Sequence, residues 1–176
     1  MTRSLGSTDL KRLHREWRKQ APGRVGLLLD SVATPANVGS ILRTAAAMRV
    51  DDVWFCGQTP DTSHPGVGKT ALGSERYLTV YGTEKPADAV AQVAAAGYRL
   101  LAVELAQGAE PIHTADLTGS ICLAVGHEDR GLTAAVLDAA ERSVFIPQLG
   151  KIGSLNVATA ASIAVYEARR QGWPDV

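Results

Sequence analysis

Six short apolar runs along the chain have the residue types of β-strands, with valine, isoleucine and aromatic side chains frequent in several of them. Most runs are apolar at consecutive positions and not only at alternate ones. A strand covered by helices on both faces of a parallel sheet shows this pattern. The predicted strands are RVGLLLD, DVWFCG, RYLTVYG, YRLLAVEL, SICLAVG and SVFIPQ, at residues 24–30, 52–57, 76–82, 98–105, 120–126 and 143–148.

Alanine-rich segments with helical spacing separate these runs. Their alternation with the strands predicts an α/β fold, with a mostly parallel sheet and helices on both faces. We expect Asn37 to cap the first of these helices and Ser154 to open the last, with Asn156 in its first turn. The predicted helices cover residues 37–48, 86–96, 133–141 and 154–170.

The segment before the first strand, "STDLKRLHREWRKQ", has the pattern of an amphipathic helix. Leu10, Leu13 and Trp17 form an apolar stripe at helical spacing. The other positions carry five cations, Lys11, Arg12, Arg15, Arg18 and Lys19. Two interpretations stay open: the stripe docks a solvated helix onto the body of the protein, or the cations bind RNA phosphates.

Composition narrows the class of protein. The chain has 176 residues with 18 basic and 18 acidic side chains, which is enough for one well-packed domain but gives no global charge that favours nucleic acid. We divide it into a basic extension at residues 1–22 and a single domain at residues 23–176.

Cys56 and Cys122 lie in apolar runs, which predicts buried free thiols. No signal peptide, membrane span or set of metal ligands is recognisable, so we expect a cytoplasmic protein without a metal.

The stretch "HPGVGKTAL", residues 64–72, contains the Gly-Lys-Thr of a phosphate-binding loop. Such a loop needs another glycine five positions before Gly68, where this chain has Ser63, and it needs a strand directly before it. Both requirements fail, which argues against a nucleotide triphosphatase. We interpret the stretch as a flexible, glycine-rich surface loop in which Lys69 contacts RNA.

Three further stretches follow predicted strands and carry polar side chains. In "TPANVGSILRTA", Gly39 precedes Arg43 by one helical turn and leaves space above its guanidinium. In "LAVGHEDRGL", Glu128 follows Gly126 at a strand end, where ligands gather in open α/β sheets. In "IPQLGKIGSLNVATAA", a glycine-rich loop leads into an alanine-rich helix. Taken singly, each stretch is also explained by an ordinary surface helix or strand-to-helix turn.

Together and in this order, "NVGSILRTA", "VGHEDRG" and "IPQLGKIGSLNVATAA" resemble the three signature motifs of the SpoU/TrmH branch of the SPOUT RNA methyltransferases. The resemblance covers about residues 24–171. After the Ser-Leu-Asn-Val of the third motif, members of the family usually have Ser-Val-Ala-Ala-Gly. This chain has "ATAAS" there, which replaces small residues by small residues. The resemblance implies methyl transfer from S-adenosylmethionine to a ribose 2′-hydroxyl of RNA, with S-adenosylhomocysteine as product. It also implies a C-terminal deep trefoil knot and a homodimer whose active site lies at the subunit interface.

The resemblance also implies roles for individual residues. The catalytic set consists of Arg43, Asn37, Glu128, Ser154 and Asn156. The loops of the knot would hold the cofactor through Glu104, Leu105, Ala106, Gly126, Ile146 and Leu155.

The chemical role of Arg43 is open at this level. Methyl transfer needs an in-line attack and removal of the hydroxyl proton. Arginine ordinarily holds its proton too tightly to be a base. Arg43 is therefore either a base in an unusual environment or a clamp on the adjacent phosphate that stabilises the developing alkoxide.

Three functions compete on this sequence. The first is a tRNA ribose 2′-O-methyltransferase, with the D-loop guanosine as its target. The second is an rRNA 2′-O-methyltransferase; such enzymes often carry an N-terminal RNA-binding domain, whereas only residues 1–22 precede the domain here. The third is a non-catalytic RNA-binding module that kept the fold, and the intact motif residues argue against it.

Overall fold

One parallel sheet organises the molecule. The computed structural model describes residues 3–20 and 23–173. Seven strands in this part of the chain pair in the order β3-β2-β1-β6-β4-β7-β5, and each neighbouring pair is parallel. The strands are β1 (Arg24–Asp30), β2 (Asp52–Cys56), β3 (Thr79–Gly82), β4 (Arg99–Val103), β5 (Glu110–Pro111), β6 (Ser120–Gly126) and β7 (Arg142–Phe145).

Helices cover both faces of this sheet, which confirms the predicted α/β architecture. Helices α2, α3 and α6 contribute to one apolar core, and α4 and α5 contribute to a second core on the opposite face. The helices of the described residues are α1 (Ser7–Arg18), α2 (Pro35–Ala47), α3 (Pro65–Ala71), α4 (Pro86–Ala95), α5 (Ala134–Ala139) and α6 (Val157–Gln171).

The two cores explain the continuous apolar runs in the central strands. In β1, Leu27 and Leu29 belong to the first core, while Leu28 between them belongs to the second. Side chains of a strand alternate between its faces, so a strand buried on both sides needs apolar residues at every position. Cys56 and Cys122 are buried free thiols in the second core, as predicted.

The edges of the sheet are where the strand predictions fail. Only Thr79–Gly82 of the run "RYLTVYG" is a strand, because Ser74–Tyr77 forms a turn of 3-10 helix before it. In that turn Arg76 donates to the hydroxyl of Tyr77 at 2.8 Å, and both side chains are exposed. The two-residue strand β5 is too short to produce a sequence pattern. Edge strands bury less apolar surface, so periodicity specifies them weakly.

The prediction of a flexible loop at residues 64–72 is wrong, because this stretch contains α3. The Nδ1 atom of His64 accepts a hydrogen bond from the backbone of Gly66 at 3.0 Å, and Pro65 occupies the first turn, so the helix has a well-formed start. Val67 and Ala71 are buried. Packing against α2 supplies the stability that glycines in a short helix do not.

Close packing of α2 on α3 also corrects the interpretation of Gly39. A Cβ atom at this position would collide with the hydroxyl of Thr70 and with the carbonyl of Val67. The glycine therefore lets two helix backbones approach, and it does not provide free space above Arg43.

Both predicted helix starts at functional motifs shift along the chain. Helix α2 is capped at Thr34, and Asn37 lies within its first turn. Helix α6 begins after Asn156, whose Oδ1 atom accepts hydrogen bonds from the backbone of Ala158 at 2.9 Å and of Thr159 at 3.3 Å. Ser154 precedes the helix. Pro35, the first residue of α2, starts the helix earlier than the asparagine pattern indicates.

Helix α1 forms as predicted, and its apolar stripe contacts the body through Trp17 without being buried. Leu10 and Leu13 are exposed, and α1 has no buried residue. Trp17 makes an edge contact with Trp173, with ring centroids 5.1 Å apart, and Arg49 donates to the carbonyl of Arg18 at 2.9 Å. The division at residues 22 and 23 stays a prediction.

A buried arginine that the sequence did not single out holds the end of α6. The Arg169 guanidinium donates to the carbonyls of Met48 at 2.9 Å and Gly23 at 3.3 Å, and to that of Arg49, and it lies 3.2 Å from a carboxylate oxygen of Asp51. It is 4% exposed. The bonds satisfy a charge that would otherwise be costly to bury, and they join α6 to the chain between α2 and β2.

The strand order agrees with the knot that the resemblance implies, and the knot itself stays a prediction. Within residues 3–20 and 23–173, no helix combines the length and the apolar character that crossing a bilayer requires.

Candidate active site

The three polar motifs meet where β1, β6, β4 and β7 end. These strands are adjacent, and Asp30 at the end of β1 is level with Gly126 at the end of β6. A cavity of about 590 Å³ opens beside the carboxyl ends of β6, β4 and β7. Ligand sites in open α/β sheets lie in this position, because the loops that follow the strands converge there.

The loop after β6 folds back on itself and places Glu128 at its tip. The backbone of His127 and that of Gly131 exchange two hydrogen bonds of 3.0 and 2.9 Å. A Cβ atom at Gly126 would collide with the backbone of Gly131, and Gly131 itself has a φ of +68°. Glycine at both positions is therefore required by the turn that directs the carboxylate.

The carboxylate of Glu128 holds the N-terminus of α2. Its oxygens accept backbone hydrogen bonds from Ala33 and Thr34, both at 3.0 Å, and a side-chain bond from Asn37 Nδ2 at 2.8 Å. Burial alone raises the pKa of Glu128, but the hydrogen bonds, led by that of Asn37, outweigh it and lower the pKa to about 2. The group is therefore a fixed anion at neutral pH.

Asn37 and Asn156 continue this contact into a chain of hydrogen bonds. Asn156 Nδ2 donates to Asn37 Oδ1 at 3.0 Å, and Asn37 Nδ2 donates to Glu128. The direction is determined, because Oδ1 of Asn156 already accepts from the start of α6 and a carboxylate can only accept. We call Asn156, Asn37 and Glu128 the polar ladder. It connects all three sequence motifs.

The structure brings most of the predicted cofactor residues to the cavity. Glu104, Leu105, Gly126, Ile146 and Leu155 all line it, whereas Ala106 does not. The apolar side chains are unusually open for their type, since Leu105 is 74% and Leu155 38% exposed. Exposed apolar side chains around a concave site are typical of a ligand pocket.

The predicted catalytic residues divide between two places. Ser154 and Asn156 line the cavity with Glu128, and Asn37 contacts it through the ladder. Arg43 does not line this cavity; its side chain is exposed further along α2, beside Lys69 of α3. Within a single chain, Arg43 is therefore separate from the ladder.

Asp30 belongs to this region and sequence reasoning missed it. The side chain is fully buried at the end of β1, and Oδ2 accepts from the backbone and the hydroxyl of Thr133 at 2.7 and 2.6 Å. These bonds hold the start of α5 beside β1. The available signal in the sequence is a carboxylate that directly follows the apolar run of β1.

The region of the chain that contains the site matches a known family. The sequence profile of the SpoU rRNA Methylase family matches residues 24–166. This chain belongs to the SpoU rRNA methylase family. The resemblance found in the three motifs is thereby confirmed, and the matched range contains the whole polar ladder.

Relatives within the SpoU family act on different RNAs. The tRNA (guanosine(18)-2′-O)-methyltransferase of Escherichia coli strain K12 is 33% identical over 143 residues, which is 81% of this chain and 62% of that protein. The 23S rRNA (guanosine(2553)-2′-O)-methyltransferase RlmP of Bacillus subtilis is 34% identical over 156 residues, 89% of this chain and 62% of that protein. The chain thus spans less than two thirds of the length of these relatives.

A solved SpoU structure has the same fold. The SpoU methyltransferase AviRb from Streptomyces viridochromogenes, solved in complex with the cofactor AdoMet, superposes with a TM-score of 0.78. The two sequences are 30% identical, over 85% of this chain and 61% of AviRb.

Proposed function

We propose that this SpoU-family chain transfers a methyl group from S-adenosylmethionine to a ribose 2′-hydroxyl of RNA. The observation that carries the proposal is the polar ladder, which connects three distant motifs at the edge of a cavity lined by both apolar and polar side chains. Such an arrangement holds amide and carboxylate groups in fixed orientations beside a bound ligand, as a transfer reaction that depends on alignment requires.

The residues of the cavity suit this cofactor. Leu105, Ile146 and Leu155 offer apolar surface for an adenine ring, and the cavity volume of about 590 Å³ is in the range of small-molecule sites. Glu104 accepts a backbone bond from Leu132 at 3.2 Å through Oε2, which leaves its other oxygen as an acceptor for a hydroxyl or a cation. When bound, S-adenosylmethionine supplies an activated methyl group.

The polar ladder is suited to orientation and not to proton abstraction. With a pKa of about 2, the carboxylate of Glu128 is a weak base that gains little by taking a proton from a ribose hydroxyl. Its bonds to Asn37, Ala33 and Thr34 instead anchor α2. We propose that Asn37 and Asn156 position the reacting nucleotide and that Ser154 contacts the ligand at the cavity.

We further propose a homodimer in which Arg43 completes the cavity of the other chain. Arg43 lies outside the cavity of its own chain, and the motif resemblance assigns it a catalytic role. On α6, Ile163 and Tyr166 are exposed, 38% and 50% respectively, and offer an apolar surface for association. Mixing chains inactive through Arg43→Ala with chains inactive through Leu155→Asp should restore activity. Sedimentation of a fully active monomer would contradict the dimer.

For the RNA class we propose tRNA, with the D-loop guanosine as target. The exposed cations of α1 suit the phosphates of a folded RNA, and a relative at 33% identity modifies guanosine 18 of tRNA. An rRNA substrate is the second candidate, because a relative of equal similarity modifies 23S rRNA. We place the protein in the cytoplasm, where buried free thiols such as Cys56 and Cys122 persist.

The deciding experiment supplies purified protein with labelled S-adenosylmethionine and either unmodified tRNA or rRNA transcripts. Transfer of label to a ribose, located by nucleoside mass spectrometry, supports the proposal and identifies the RNA class. Absence of cofactor binding by calorimetry, together with retained RNA binding, would support a non-catalytic RNA-binding module instead.

A further inference from the structure

A second cavity, which we call the α2–α3 groove, lies between helices α2 and α3. Its volume is about 510 Å³. Its polar lining consists of two cations, Arg43 and Lys69, and three hydroxyl side chains, Ser40, Thr44 and Thr70. None of the predicted cofactor residues lines it, so it is distinct from the first cavity.

The positive charge of the groove is not neutralised locally. Helices α2 and α3 contain no acidic residue. Within residues 3–20 and 23–173, no ion pair involves Arg43 or Lys69, and Glu75, the first acidic residue after α3, pairs with neither. Two like charges that share a concave surface without counter-charge favour an anionic ligand.

The hydroxyl groups of the groove already use their protons inside the protein. Ser40 and Thr70 both donate to the carbonyl of Ala36, at 2.9 and 3.0 Å. Thr44 lies 3.0 Å from the hydroxyl of Ser162, whose own proton goes to the backbone of α6, so Thr44 is the donor there. The groove therefore offers charge and the planar guanidinium, which suit a phosphate, and few donors that could distinguish a base.

Helix α3 cannot wrap its backbone around the phosphates of a nucleoside triphosphate. The backbone N–H groups of Gly68 and Leu72 donate to carbonyls of the same segment, those of His64 and Gly68. They are unavailable to cradle phosphates, as a phosphate-binding loop would require. Lys69 accordingly acts as a point charge beside Arg43.

We propose that the α2–α3 groove binds one backbone phosphate of the RNA substrate, held jointly by the Arg43 guanidinium and the Lys69 ammonium. The identity of the ligand as RNA rests on the proposed function. Asn37 precedes Arg43 by six residues, about 9 Å along the helix axis. Six residues also rotate the helix by about 600°, so the two side chains lie on different faces of α2, and the groove contacts a phosphate outside the polar ladder of the same chain. Lys69 is a positioning residue that sets the register of the RNA strand.

The test measures binding of an unmodified tRNA transcript to the full chain over a salt series, without cofactor. Lys69→Gln should weaken binding and make the slope of log K against log salt shallower by about one unit. Lys69→Arg should retain most of the affinity. At saturating RNA, kcat should stay near wild type while KM rises. The matched control is Lys85→Gln, an exposed lysine at the start of α4 on the opposite face of the sheet.

A double variant tests whether one phosphate is shared. Arg43→Gln with Lys69→Gln should lose less RNA affinity than the product of the single losses, because neighbours on one ligand are not additive. Fully multiplied losses would place the two cations on separate phosphates and overturn the shared site. Equal binding by Lys69→Gln and Lys85→Gln, or no binding of the transcript by the wild type, would overturn the groove as an RNA site.

Inorganic phosphate distinguishes a free anion from the RNA backbone. Saturable, Lys69-dependent phosphate binding with unchanged RNA binding in Lys69→Gln would mean a site for free phosphate, against the proposal. The proposed function can fail separately. If the protein binds the transcript through Lys69 but transfers no methyl group, the groove is supported as an RNA site and the proposed methyl transfer is refuted. If Lys69→Gln transfers methyl groups with a normal KM, the proposed methyl transfer is supported and the groove is refuted as an RNA site.

Discussion

The polar ladder and the α2–α3 groove both include side chains of α2, yet they are built in opposite ways. Each member of the ladder is fixed by neighbours: Glu128 accepts three hydrogen bonds, and Asn37 and Asn156 each have one possible orientation. The cations of the groove, Arg43 and Lys69, have no ion pair within the described residues.

This difference indicates a division of labour. Fixed amides and a fixed carboxylate give alignment, which affects the rate and is insensitive to salt because the charge is satisfied inside the protein. Unpaired exposed cations give attraction to phosphates, which affects affinity and weakens as salt rises. Substitutions in the ladder, in the groove and on α1 should therefore separate effects on rate from effects on RNA affinity.

Arg43 is the strongest test, because it lies in the groove but carries an expected catalytic role. Arg43→Ala should lower methyl transfer by about a hundredfold or more, the scale of one lost transition-state contact, while cofactor affinity stays near wild type. Arg43→Lys should recover RNA binding better than rate, since lysine keeps the charge and loses the planar fork. Single-turnover kinetics with calorimetry measures both. Retention of more than about a tenth of the activity in Arg43→Ala would make Arg43 a phosphate contact only.

Asn37 tests whether orientation within the ladder matters. Asn37→Ala should lower kcat by roughly tenfold to a hundredfold through lost alignment. Asn37→Asp should be worse, because it places a second carboxylate where Nδ2 now donates to Glu128 at 2.8 Å. Steady-state kinetics and thermal unfolding give the comparison. Gln92→Glu, the same change of amide to acid at an exposed position of α4, serves as control. Equal kcat values for Ala and Asp would refute an oriented ladder.

Helix α1 extends the cationic side of the comparison. Lys11, Arg12, Arg15, Arg18 and Lys19 are exposed. Replacing all five by Gln, which keeps helix propensity, should lower RNA affinity by roughly tenfold at moderate salt and by less at high salt. Folding and cofactor binding should be unchanged, because α1 has no buried residue. RNA titrations of both proteins across a salt series measure this difference. Identical affinities at every salt concentration would mean that α1 has a structural role only and does not bind RNA.

Glu128 should give the smallest effect, visible in stability against pH. Its pKa lies at about 2, below the ordinary 4.5, so the folded protein gains stability from the carboxylate above pH 4.5 and loses it as the pH falls toward 2. The wild type should exceed Glu128→Gln by a few degrees in Tm near neutrality, and the gap should close in acid. Glu84→Gln, at an exposed position, should show no such gap. A gap independent of pH would show that the charge of Glu128 is not what stabilises α2.

Much of the fold followed from local patterns. The central strands β1, β2, β4 and β6 were recognisable because burial on both faces demands apolar residues at successive positions. The three motifs by themselves indicate the family, and the cavity lies where parallel strands end, as their order in the chain implies.

The predictions that proved wrong concern features that depend on contacts between distant segments of the chain. The stretch at residues 64–72 looks like a loop because glycine and proline disfavour isolated helices, yet packing on α2 makes it helical. Gly39 was interpreted from its neighbour Arg43, whereas its real partner is α3, about thirty residues later in the chain.

The sequence by itself determined the alternation of strands and helices, the burial of the cysteines and the presence of the motif residues, because these depend on residue type and spacing. Only the tertiary structure decided which side chains touch. It joined Asn37 to Glu128 and Asn156, 91 and 119 positions away, and it placed Arg43 beside Lys69 instead of beside the ladder. The physical reason is that hydrogen bonds and packing act over a few ångströms in space, whatever the distance along the chain.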